Sequence, residues 1–340
     1  MRAVVYRRTG GPEVLEVTER PLPVPGPGEV RVRVAVSGSN PTDWKARRGG
    51  SPGAVIPFPE MVPHQDGAGT VDAVGDGVER LGVGQRVWLW EAAWRRADGT
   101  AQQFVALPAR QVQPLPEGAS FDLGASLGIP ALTAHRCLTV ADGGPDRLHP
   151  GALTGRTVLV AGGAGAVGHA AIQLVRWAGG TAVTTVSSAD KAELARLAGA
   201  HHVVIYRDED ASAAIRGIAP DGVDIVVEVA PGTNAALDAA VAAPNAVVAI
   251  YANNGGDEVT LRVRENMTPN VRYQFVLVYT VPPAAKNAAV EDVSAAVADG
   301  ALSVGADAGL PIHRFPLERT ADGQAAVEAG VIGKVLIDVT

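Results

Sequence analysis

The pattern of apolar and polar positions differs along the chain, and its first part predicts strands. Apolar residues alternate with polar ones at residues 30–36, 69–74 and 85–90, which is the period of half-buried β-strands. Clusters of turn-forming residues at 23–28 and 75–77 separate these segments. Short alternating strands joined by turns rich in Gly and Pro predict a compact β-rich barrel.

The middle of the chain follows a different pattern. Short apolar runs occur at residues 157–161, 181–186, 203–206, 223–229 and 246–251, and Ala-rich helical segments separate them. Strands that alternate with helices are typical of a parallel, doubly wound sheet with helices on both faces. The middle region therefore predicts an α/β nucleotide-binding domain.

The C-terminal part adds a predicted strand at residues 271–279, an Ala-rich helix after it and a closing strand at 334–339. We expect the closing strand to return to the first domain. The predicted fold class is therefore α/β with two domains. Residues 1–125 and 266–340 form the β-barrel domain, and residues 126–265 form the doubly wound domain.

A glycine-rich turn follows the first apolar run of the middle region. Gly163, Gly165 and Gly168 satisfy G-x-G-x-x-G between a strand and a helix. These glycines permit a tight turn, close approach to a pyrophosphate and close packing of the helix on the strand. Ala166 and Val167 begin the helix, whose positive N-terminus favours a diphosphate. The motif predicts a bound dinucleotide, and a glycine-rich turn in another α/β protein is the alternative.

The residues after the next strand indicate which dinucleotide is bound. An enzyme that prefers NAD usually places Asp or Glu there, about 20 residues after the glycines. This chain has Ser187 and Ser188 instead, and the next acid, Asp190, falls in the following helix. With Lys191, two hydroxyls and an ammonium would bind a 2′-phosphate that a carboxylate would repel. NADPH is therefore predicted, with a solvated Lys191 paired to a nearby acid as the alternative.

Composition narrows the class of protein. A chain of 340 residues with 47% apolar residues can bury two domain cores. The net charge of −7 gives nucleic acid no overall attraction, and no apolar run approaches the roughly 20 residues that span a bilayer. The single cysteine, Cys137, excludes an internal disulfide and a Cys-rich zinc site. We therefore expect a cytoplasmic protein without nucleic-acid or membrane partners.

Further segments occur in order and at plausible spacing along the chain. With the glycine turn, they make the chain resemble the medium-chain dehydrogenase/reductase superfamily, in its zinc-independent quinone oxidoreductase (ζ-crystallin-like) branch. The resemblance implies a GroES-like β-barrel catalytic domain and a Rossmann nucleotide-binding domain. The segments that carry it are Asn40-Pro-Thr-Asp43, His64-Gln-Asp-Gly-Ala-Gly69, Gly128-Ile-Pro-Ala-Leu-Thr-Ala134, Ser187-Ser-Ala-Asp-Lys191, Gly199-Ala-His-His-Val-Val-Ile-Tyr206 and Gly333-Lys-Val-Leu-Ile337.

Zinc alcohol dehydrogenases of this superfamily carry two ligands at positions that can be compared directly. A Cys opens their segment matching Asn40-Pro-Thr-Asp43, and a His precedes the acid matching Asp66. This chain has Asn40 and Gln65 at those positions. Neutral amides replace thiolate and imidazole poorly as Zn²⁺ ligands. His64 is expected to make ordinary hydrogen bonds rather than to bind a metal ion alone, so no metal is predicted.

The absence of zinc favours reduction over alcohol oxidation, because nothing then stabilises an alkoxide. Hydride adds more easily to a quinone or to the β-carbon of an enone, and the protein must then stabilise an enolate-like oxyanion. The prediction is an NADPH-dependent reductase of a small-molecule quinone. Two alternatives stay open: reduction of a specific enone or alkenal, and a non-catalytic NADPH-binding role, since members of this lineage serve as lens crystallins.

The resemblance also implies roles for residues of the cofactor site. Asn40 resembles the residue at the nicotinamide end and substrate site, and Thr133 resembles the residue that contacts the nicotinamide side. Tyr206 matches the family tyrosine near the adenosine 2′-phosphate. Tyr251 and Asn253 correspond to a loop that passes the nicotinamide. Simple packing is the alternative for each of them.

Asp43 and Lys45 complete the predicted catalytic set with Asn40. The best-known quinone reductases carry a tyrosine where this chain has Lys45, and Asp43-Trp-Lys45 instead resembles the enone and alkenal reductases. An ammonium there would stabilise an enolate oxyanion or hold the ribose hydroxyls. The alternative is an exposed lysine in a basic stretch with Arg47 and Arg48.

Aromatic residues and a late apolar segment supply two further expectations. Trp94 lies in a loop and, with Tyr251, is a candidate wall of the substrate pocket, whereas Trp88 and Trp90 share one strand face and are expected in the core. Residues 271–279 are expected to pair across a two-fold axis, which predicts a homodimer.

Overall fold

The computed structural model of the chain describes residues 1–49 and 55–339. It contains two compact units, one formed by Met1–Ile129 with Pro311–Thr340 and the other by Pro130–Leu310. Residues 50–54 and 340 of the predicted barrel domain lie outside the described residues.

Strands and helices alternate most regularly in the middle of the chain, as the sequence predicts. In chain order, the elements of the N-terminal part are β1 (Arg2–Val5), β2 (Glu16–Glu19), β3 (Glu29–Ser39), α1 (Pro41–Arg48), β4 (Asp66–Val74), β5 (Arg86–Leu89), β6 (Phe104–Pro108), β7 (Val112–Pro114) and α2 (Phe121–Leu138). The elements that follow are β8 (Thr157–Ala161), α3 (Ala166–Trp177), β9 (Thr181–Val186), α4 (Ala189–Leu197), β10 (His202–Ile205), α5 (Ala211–Ile218), β11 (Val223–Glu228), α6 (Pro231–Val241), β12 (Ala242–Ile250), α7 (Val263–Met267), β13 (Arg272–Phe275), α8 (Pro283–Ala298), β14 (Ile312–Pro316), α9 (Thr320–Glu328) and β15 (Lys334–Asp338).

The first unit is built on a seven-stranded sheet. Its strand order is β14-β15-β3-β4-β5-β7, and β6 pairs with β3 outside this path. The alternation predicted for β3 is confirmed, because Val30, Val32 and Val34 are all fully buried. The closing strand β15 pairs antiparallel with β3, which confirms that it returns to this domain. Trp88 and Trp90 are buried, as expected for core residues.

The second unit is a six-stranded parallel sheet in the order β10-β9-β8-β11-β12-β13. The observed bounds of β8 and β9 are those predicted from the apolar runs. Because all six strands run in the same direction, their carboxyl ends meet at one edge of the sheet, where ligands of doubly wound folds bind. We call this edge the nucleotide edge.

The second predicted domain boundary is wrong. Residues 266–310 were expected with the barrel domain, but they belong to the second unit. The reason is the pairing of β13, whose Arg272 lies opposite Val247 of β12 in the parallel sheet. The predicted strand at residues 271–279 is also shorter than expected and ends at Phe275. No helix within the described part of the chain has both the length and the apolar character needed to cross a membrane.

Candidate functional site

The glycine turn at the nucleotide edge is tied to the strands on both sides. The Gly163 N–H donates to Thr184 Oγ1 at 3.1 Å, and that hydroxyl donates to the Val160 carbonyl at 2.7 Å. Helix α3 then begins at Ala166 with Gly165 as its N-cap, and no side chain caps it. The first turn of a helix leaves backbone N–H groups without intrahelical partners. The turn therefore presents these N–H groups from a fixed backbone.

The fold requires glycine at two of the three motif positions. A Cβ on Gly163 would collide with Thr184 Oγ1, and a Cβ on Gly168 would lie 2.5 Å from the Gly162 carbonyl oxygen. A Cβ on Gly165 would lie 3.4 Å from the same oxygen, which is ordinary contact. The fold thus needs glycine at 163 and 168, whereas Gly165 is exposed and leaves room for a bound group. This cradle fits a diphosphate.

The structure brings the predicted 2′-phosphate residues together after β9. Lys191 Nζ donates to Ser187 Oγ at 3.0 Å, and Ser188 Oγ accepts the Lys191 backbone N–H at 3.4 Å as it caps α4. Tyr206 follows β10, and its N–H donates to the Val186 carbonyl at 3.1 Å, which fixes it beside the end of β9. Its side chain is 49% exposed. An ammonium, two hydroxyls and a phenol thus lie at one corner of the nucleotide edge.

Tyr251 follows β12, and its N–H donates to the Glu228 carbonyl at the end of β11 at 3.0 Å. Burial, then Cys137 and Glu228, raise the pKa of Tyr251 above its usual range, so the phenol stays protonated. Asn253 lies two residues further on, is exposed and donates from Nδ2 to Asp257 Oδ1. Both residues therefore lie at the nucleotide edge, where the sequence places them.

A buried carboxyl pair near Tyr251 was missed by the sequence analysis. Glu228 accepts a hydrogen bond from Asn234 Nδ2 at 3.0 Å, and Asp238 lies on α6, 1% exposed. Burial, followed by the charge of Glu228, raises the pKa of Asp238. The signal available in the sequence was Glu228, an acid that directly follows the apolar residues Ile225-Val-Val227 of β11.

A second group of polar residues is buried in the first unit, and we call Asn40, Asp43, Asp66 and Lys334 the buried cluster. Lys334 Nζ donates to Asn40 Oδ1 at 2.7 Å, and Asn40 Nδ2 donates to Asp66 Oδ2 at 2.7 Å. Lys334 Nζ also lies 3.7 Å from Asp66 Oδ2. The Asn40 N–H donates to Asp43 Oδ2 at 2.7 Å at the start of α1.

Two of the four residues were not predicted as site residues. Asp66 and Lys334 occur in the segments that carry the resemblance, but no role was assigned to either. Each is the charged residue at the start of a strand, β4 and β15 respectively. The signal available in the sequence is a charged residue directly before a run of small or apolar residues, Gly67-Ala-Gly69 in one case and Val335-Leu-Ile337 in the other.

His64 is hydrogen-bonded to strand β3 and to helix α9. Arg47 Nε donates to Gln324 Oε1 at 2.7 Å, so the amide nitrogen of Gln324 is the group that faces His64 Nε2, at 3.2 Å. His64 must therefore accept at Nε2 and carry its proton on Nδ1, from which it donates to Ser37 Oγ at 2.9 Å. The backbone of His64 has a φ of 80°, a strained value for a residue with a Cβ.

Burial controls the protonation of these groups. Burial, then the charge of Asp66, raises the pKa of Asp43 to about 8, although N–H groups of Asn40 and Gln65 oppose the shift. Burial, then Lys334, lowers the pKa of His64 to about 3. Burial raises the pKa of Asp66 and lowers that of Lys334, and each of the two charges opposes the shift of the other. At neutral pH His64 is neutral and Asp43 holds a proton.

The residues present do not fit a catalytic zinc ion. Asn40 Oδ1 already accepts from Lys334, and Gln65 Oε1 accepts the Ala93 N–H at 3.1 Å. The Lys334 amino group therefore occupies the space beside Asn40. Within residues 1–49 and 55–339, no three His, Cys, Asp or Glu side chains are grouped to hold a metal ion. His64 makes ordinary hydrogen bonds.

The remaining predicted residues are more scattered. Lys45 lies on the exposed face of α1, opposite the buried Asp43 and Arg47, with Nζ 5.8 Å from the Trp44 ring centre. Trp94 is half-buried in a loop, and the Arg95 guanidinium lies 5.4 Å from its ring centre. Thr133 is 5% exposed on α2. Their predicted roles stay predictions.

Two family models match the chain. The alcohol dehydrogenase GroES-like domain matches residues 26–117, and the zinc-binding dehydrogenase domain matches residues 166–297. These ranges coincide with the barrel strands β3 to β7 and with most of the parallel sheet. The matches agree with the predicted GroES-like and Rossmann domains.

Individual proteins are similar over most of the chain. A quinone oxidoreductase of Rattus norvegicus is 30% identical over 266 residues, which are 77% of this chain and 76% of that protein. A crystal structure described as an NAD-dependent alcohol dehydrogenase has a TM-score of 0.85 at 29% identity and covers both chains completely. A mycobacterial protein solved in complex with NADPH has a TM-score of 0.81 at 26% identity, covering 99% of each chain.

Proposed function

We propose that this chain, which belongs to the medium-chain dehydrogenase/reductase superfamily in its quinone oxidoreductase branch, reduces a quinone with NADPH and without a metal ion. Membership of that branch makes it an oxidoreductase. We propose, beyond that membership, that the acceptor is a quinone, that the cofactor is NADPH and that the reaction needs no zinc. The observation that carries it is the Lys334 amino group held against Asn40, where the zinc enzymes of the superfamily have a metal ligand.

The cofactor assignment rests on the corner formed by Ser187, Ser188, Lys191 and Tyr206. The ammonium of Lys191 is fixed beside the Ser187 hydroxyl, and the first acid of the region, Asp190, lies exposed within α4. Phosphate oxygens form strong charge-assisted hydrogen bonds with such groups. A mycobacterial neighbour bound to NADPH supports the same choice, although another neighbour is described as NAD-dependent.

When bound, NADPH supplies a hydride, which the quinone accepts together with one proton to give the hydroquinone. The protein has to orient the quinone and provide that proton. Asp43 holds a proton at neutral pH because burial and Asp66 raise its pKa to about 8. We assign Asn40 to orienting the acceptor and Asp43 to proton supply. The hydrogen bond from the Asn40 N–H to Asp43 Oδ2, at 2.7 Å, fixes the positions of these two residues relative to each other.

The second candidate is reduction of an enone or alkenal double bond, and Lys45 favours it. Its ammonium lies on the exposed face of α1, two residues after Asp43. A cation at that place would stabilise an enolate oxyanion. If so, Lys45→Met slows enone turnover by more than about tenfold while the Kd for NADPH stays unchanged. Unaltered turnover at saturating NADPH would remove Lys45 from the mechanism.

NADPH oxidation by the purified protein tests the proposal. The acceptors are an ortho-quinone, a para-quinone, a linear alkenal and a cyclic enone, each also measured with NADH and after dialysis against a chelator. Faster turnover of quinones with NADPH, unchanged by the chelator, is the expected result. Preference for the alkenal or enone selects the second candidate. Tight NADPH binding without turnover of any acceptor would instead support a non-catalytic binding role.

The proposal includes a cytoplasmic homodimer. β13 is one of the two outer strands of the parallel sheet among the described strands, and two of the apolar side chains around its end, Phe275 and Leu277, are 69% and 56% exposed. Outer strands offer unpaired backbone groups to a second chain. A second copy of β13 would cover these side chains.

A further inference from the structure

The side chain of Asn40 is held at both ends. Its oxygen accepts from Lys334 Nζ at 2.7 Å, and its nitrogen donates to Asp66 Oδ2 at 2.7 Å. All three residues are at most 3% exposed. Asp66 is itself fixed, because its other oxygen accepts the Ile129 N–H at 2.9 Å.

These partners determine the orientation of the Asn40 amide, because they fix the positions of its oxygen and its nitrogen. The Lys334 amino group donates a hydrogen to the Asn40 oxygen, and Asp66 Oδ2 accepts one from the Asn40 nitrogen. A flipped amide would place its nitrogen against Lys334 and its oxygen against Asp66, and both hydrogen bonds would be lost. Asn40 therefore has one orientation. One of its two Nδ2 hydrogens is donated to Asp66, and the other makes no hydrogen bond to the residues that the structure describes.

Strand register explains why Lys334 reaches Asn40 from the far end of the sequence. β15 pairs antiparallel with β3 so that Val335 lies opposite Ser39. The next position along each strand brings Lys334 and Asn40 together. The turn before β15 needs Gly333, whose φ is 120° and whose Cβ would collide with the Pro311 carbonyl. The pairing of β15 with β3 thus brings the Lys334 amino group to the Asn40 side chain.

We propose that Lys334 is a positioning residue that holds the Asn40 amide with its second Nδ2 hydrogen free to donate to the carbonyl oxygen of the acceptor. This inference rests on the proposed function and narrows its substrate class. The group received at Asn40 is a hydrogen-bond acceptor, as in a quinone or an enone. A saturated alcohol offers only a hydroxyl oxygen, which accepts a hydrogen bond more weakly than a polarised carbonyl oxygen. Its oxidation would also require a group that takes the hydroxyl hydrogen, and the Asn40 N–H cannot do that.

A double-mutant cycle tests whether Lys334 acts through Asn40. Lys334→Gln keeps a shorter donor but cannot span the same distance, and Asn40→Ala removes the amide. We expect Lys334→Gln to lower kcat for the preferred quinone about tenfold in the wild-type background and by less than about twofold in the Asn40→Ala background. KM for NADPH should not change. Equal losses in both backgrounds would show that Lys334 acts independently of Asn40 and would overturn the proposal.

The matched control is Lys286→Gln, which makes the same change at another buried lysine. Lys286 is 6% exposed on α8 and donates to the Val278 carbonyl in the second unit. It should lower thermal stability without changing kcat. If Lys334→Gln fails to fold, Lys334→Gln/Asp66→Asn removes both buried charges together, and the same cycle is run in that variant.

A readout without turnover separates this inference from the proposed function. In protein labelled with [¹⁵N]asparagine, the Asn40 side-chain signals are identified by their loss in Asn40→Ala. Two separate, slowly exchanging hydrogens are expected for a clamped amide, and Lys334→Gln should accelerate their exchange. Unchanged exchange would overturn the clamp. If the wild-type protein reduces no acceptor, the proposed function fails, while this measurement still decides the orientation of Asn40.

Discussion

The Lys191 ammonium is the residue-scale feature on which cofactor choice depends. It is held 3.0 Å from Ser187 Oγ at the end of β9. Lys191→Ala removes the only cation in that hydrogen-bonded pair and should raise the Kd for NADPH about tenfold, which is about 1.4 kcal/mol. The Kd for NADH, which has no 2′-phosphate, should change by less than about twofold. Fluorescence titration of both dinucleotides measures the difference.

Arg196→Ala is the control for that experiment, since it removes one positive charge from the same helix. Arg196 is exposed and pairs with Glu193 at 3.4 Å, about two turns beyond Ser188. It should leave both dissociation constants unchanged. Equal weakening of NADPH and NADH binding in Lys191→Ala would refute the assignment.

Asp43 gives the stability of the protein a predictable dependence on pH. Its folded-state pKa is raised to about 8 from 3.8, so between these values the folded chain keeps a proton that the unfolded chain has lost. The contribution of Asp43 to the free energy of unfolding is fully present below the unfolded-state pKa. It declines as pH rises towards the folded-state pKa, by at most about 1.4 kcal/mol per pH unit. Asp43→Asn should remove this slope between pH 4 and 8.

Urea unfolding at several pH values compares the two proteins. Asp190→Asn, on the exposed first turn of α4, removes a carboxylate outside the buried cluster and should keep the wild-type slope. A slope that persists in Asp43→Asn would mean that another buried group carries it, with Asp66 as the next candidate.

At the scale of the element, two glycines in the strand–turn–helix unit of β8 and α3 allow effects on folding to be distinguished from effects on cofactor binding. Gly168→Ala forces a Cβ to 2.5 Å from the Gly162 carbonyl and should destabilise the protein by about 1–3 kcal/mol. Gly165→Ala meets its nearest atom at 3.4 Å and should cost less than about 0.5 kcal/mol. Its methyl group would, however, occupy the space proposed for the diphosphate.

Calorimetric Tm and the Kd for NADPH distinguish the two variants. Gly165→Ala should keep its Tm and lose NADPH affinity by at least about tenfold. Gly168→Ala should lose both. An unchanged affinity in Gly165→Ala would mean that the diphosphate does not approach this turn.

The elements themselves could be predicted where the information is local. β8 and β9 are short runs of apolar residues and threonine, followed by Gly162 and Ser187 respectively, and their observed bounds are those predicted from the sequence. The buried cluster could not be predicted, because Lys334 and Asn40 are 294 residues apart and meet only through strand register. The misplaced boundary at residue 265 has the same origin, since only the pairing of β13 with β12 shows where that segment belongs.

At the scale of the whole molecule, the residues assigned to cofactor binding and the residues of the buried cluster belong to different units. The glycine turn, Ser187, Lys191 and Tyr206 all belong to the second unit, and the buried cluster belongs entirely to the first. Variants in one set should therefore change one measured constant and spare the other. Lys191→Ala is expected to raise the Kd for NADPH, whereas Lys334→Gln is expected to lower kcat.

The last prediction concerns assembly through β13, one of the two outer strands of the described parallel sheet. Phe275 is 69% exposed at the end of β13, and Leu277 beyond it is 56% exposed. Large apolar side chains on an outer strand favour pairing with another chain, and a charge placed there opposes it. Phe275→Asp should therefore convert a dimer into a monomer in sedimentation-velocity experiments. Val83→Asp, at a 70% exposed apolar residue of the first unit, should sediment as the wild type does. A wild-type protein that sediments as a monomer at all concentrations would refute the dimer, and a dimer that survives Phe275→Asp would show that another surface forms it.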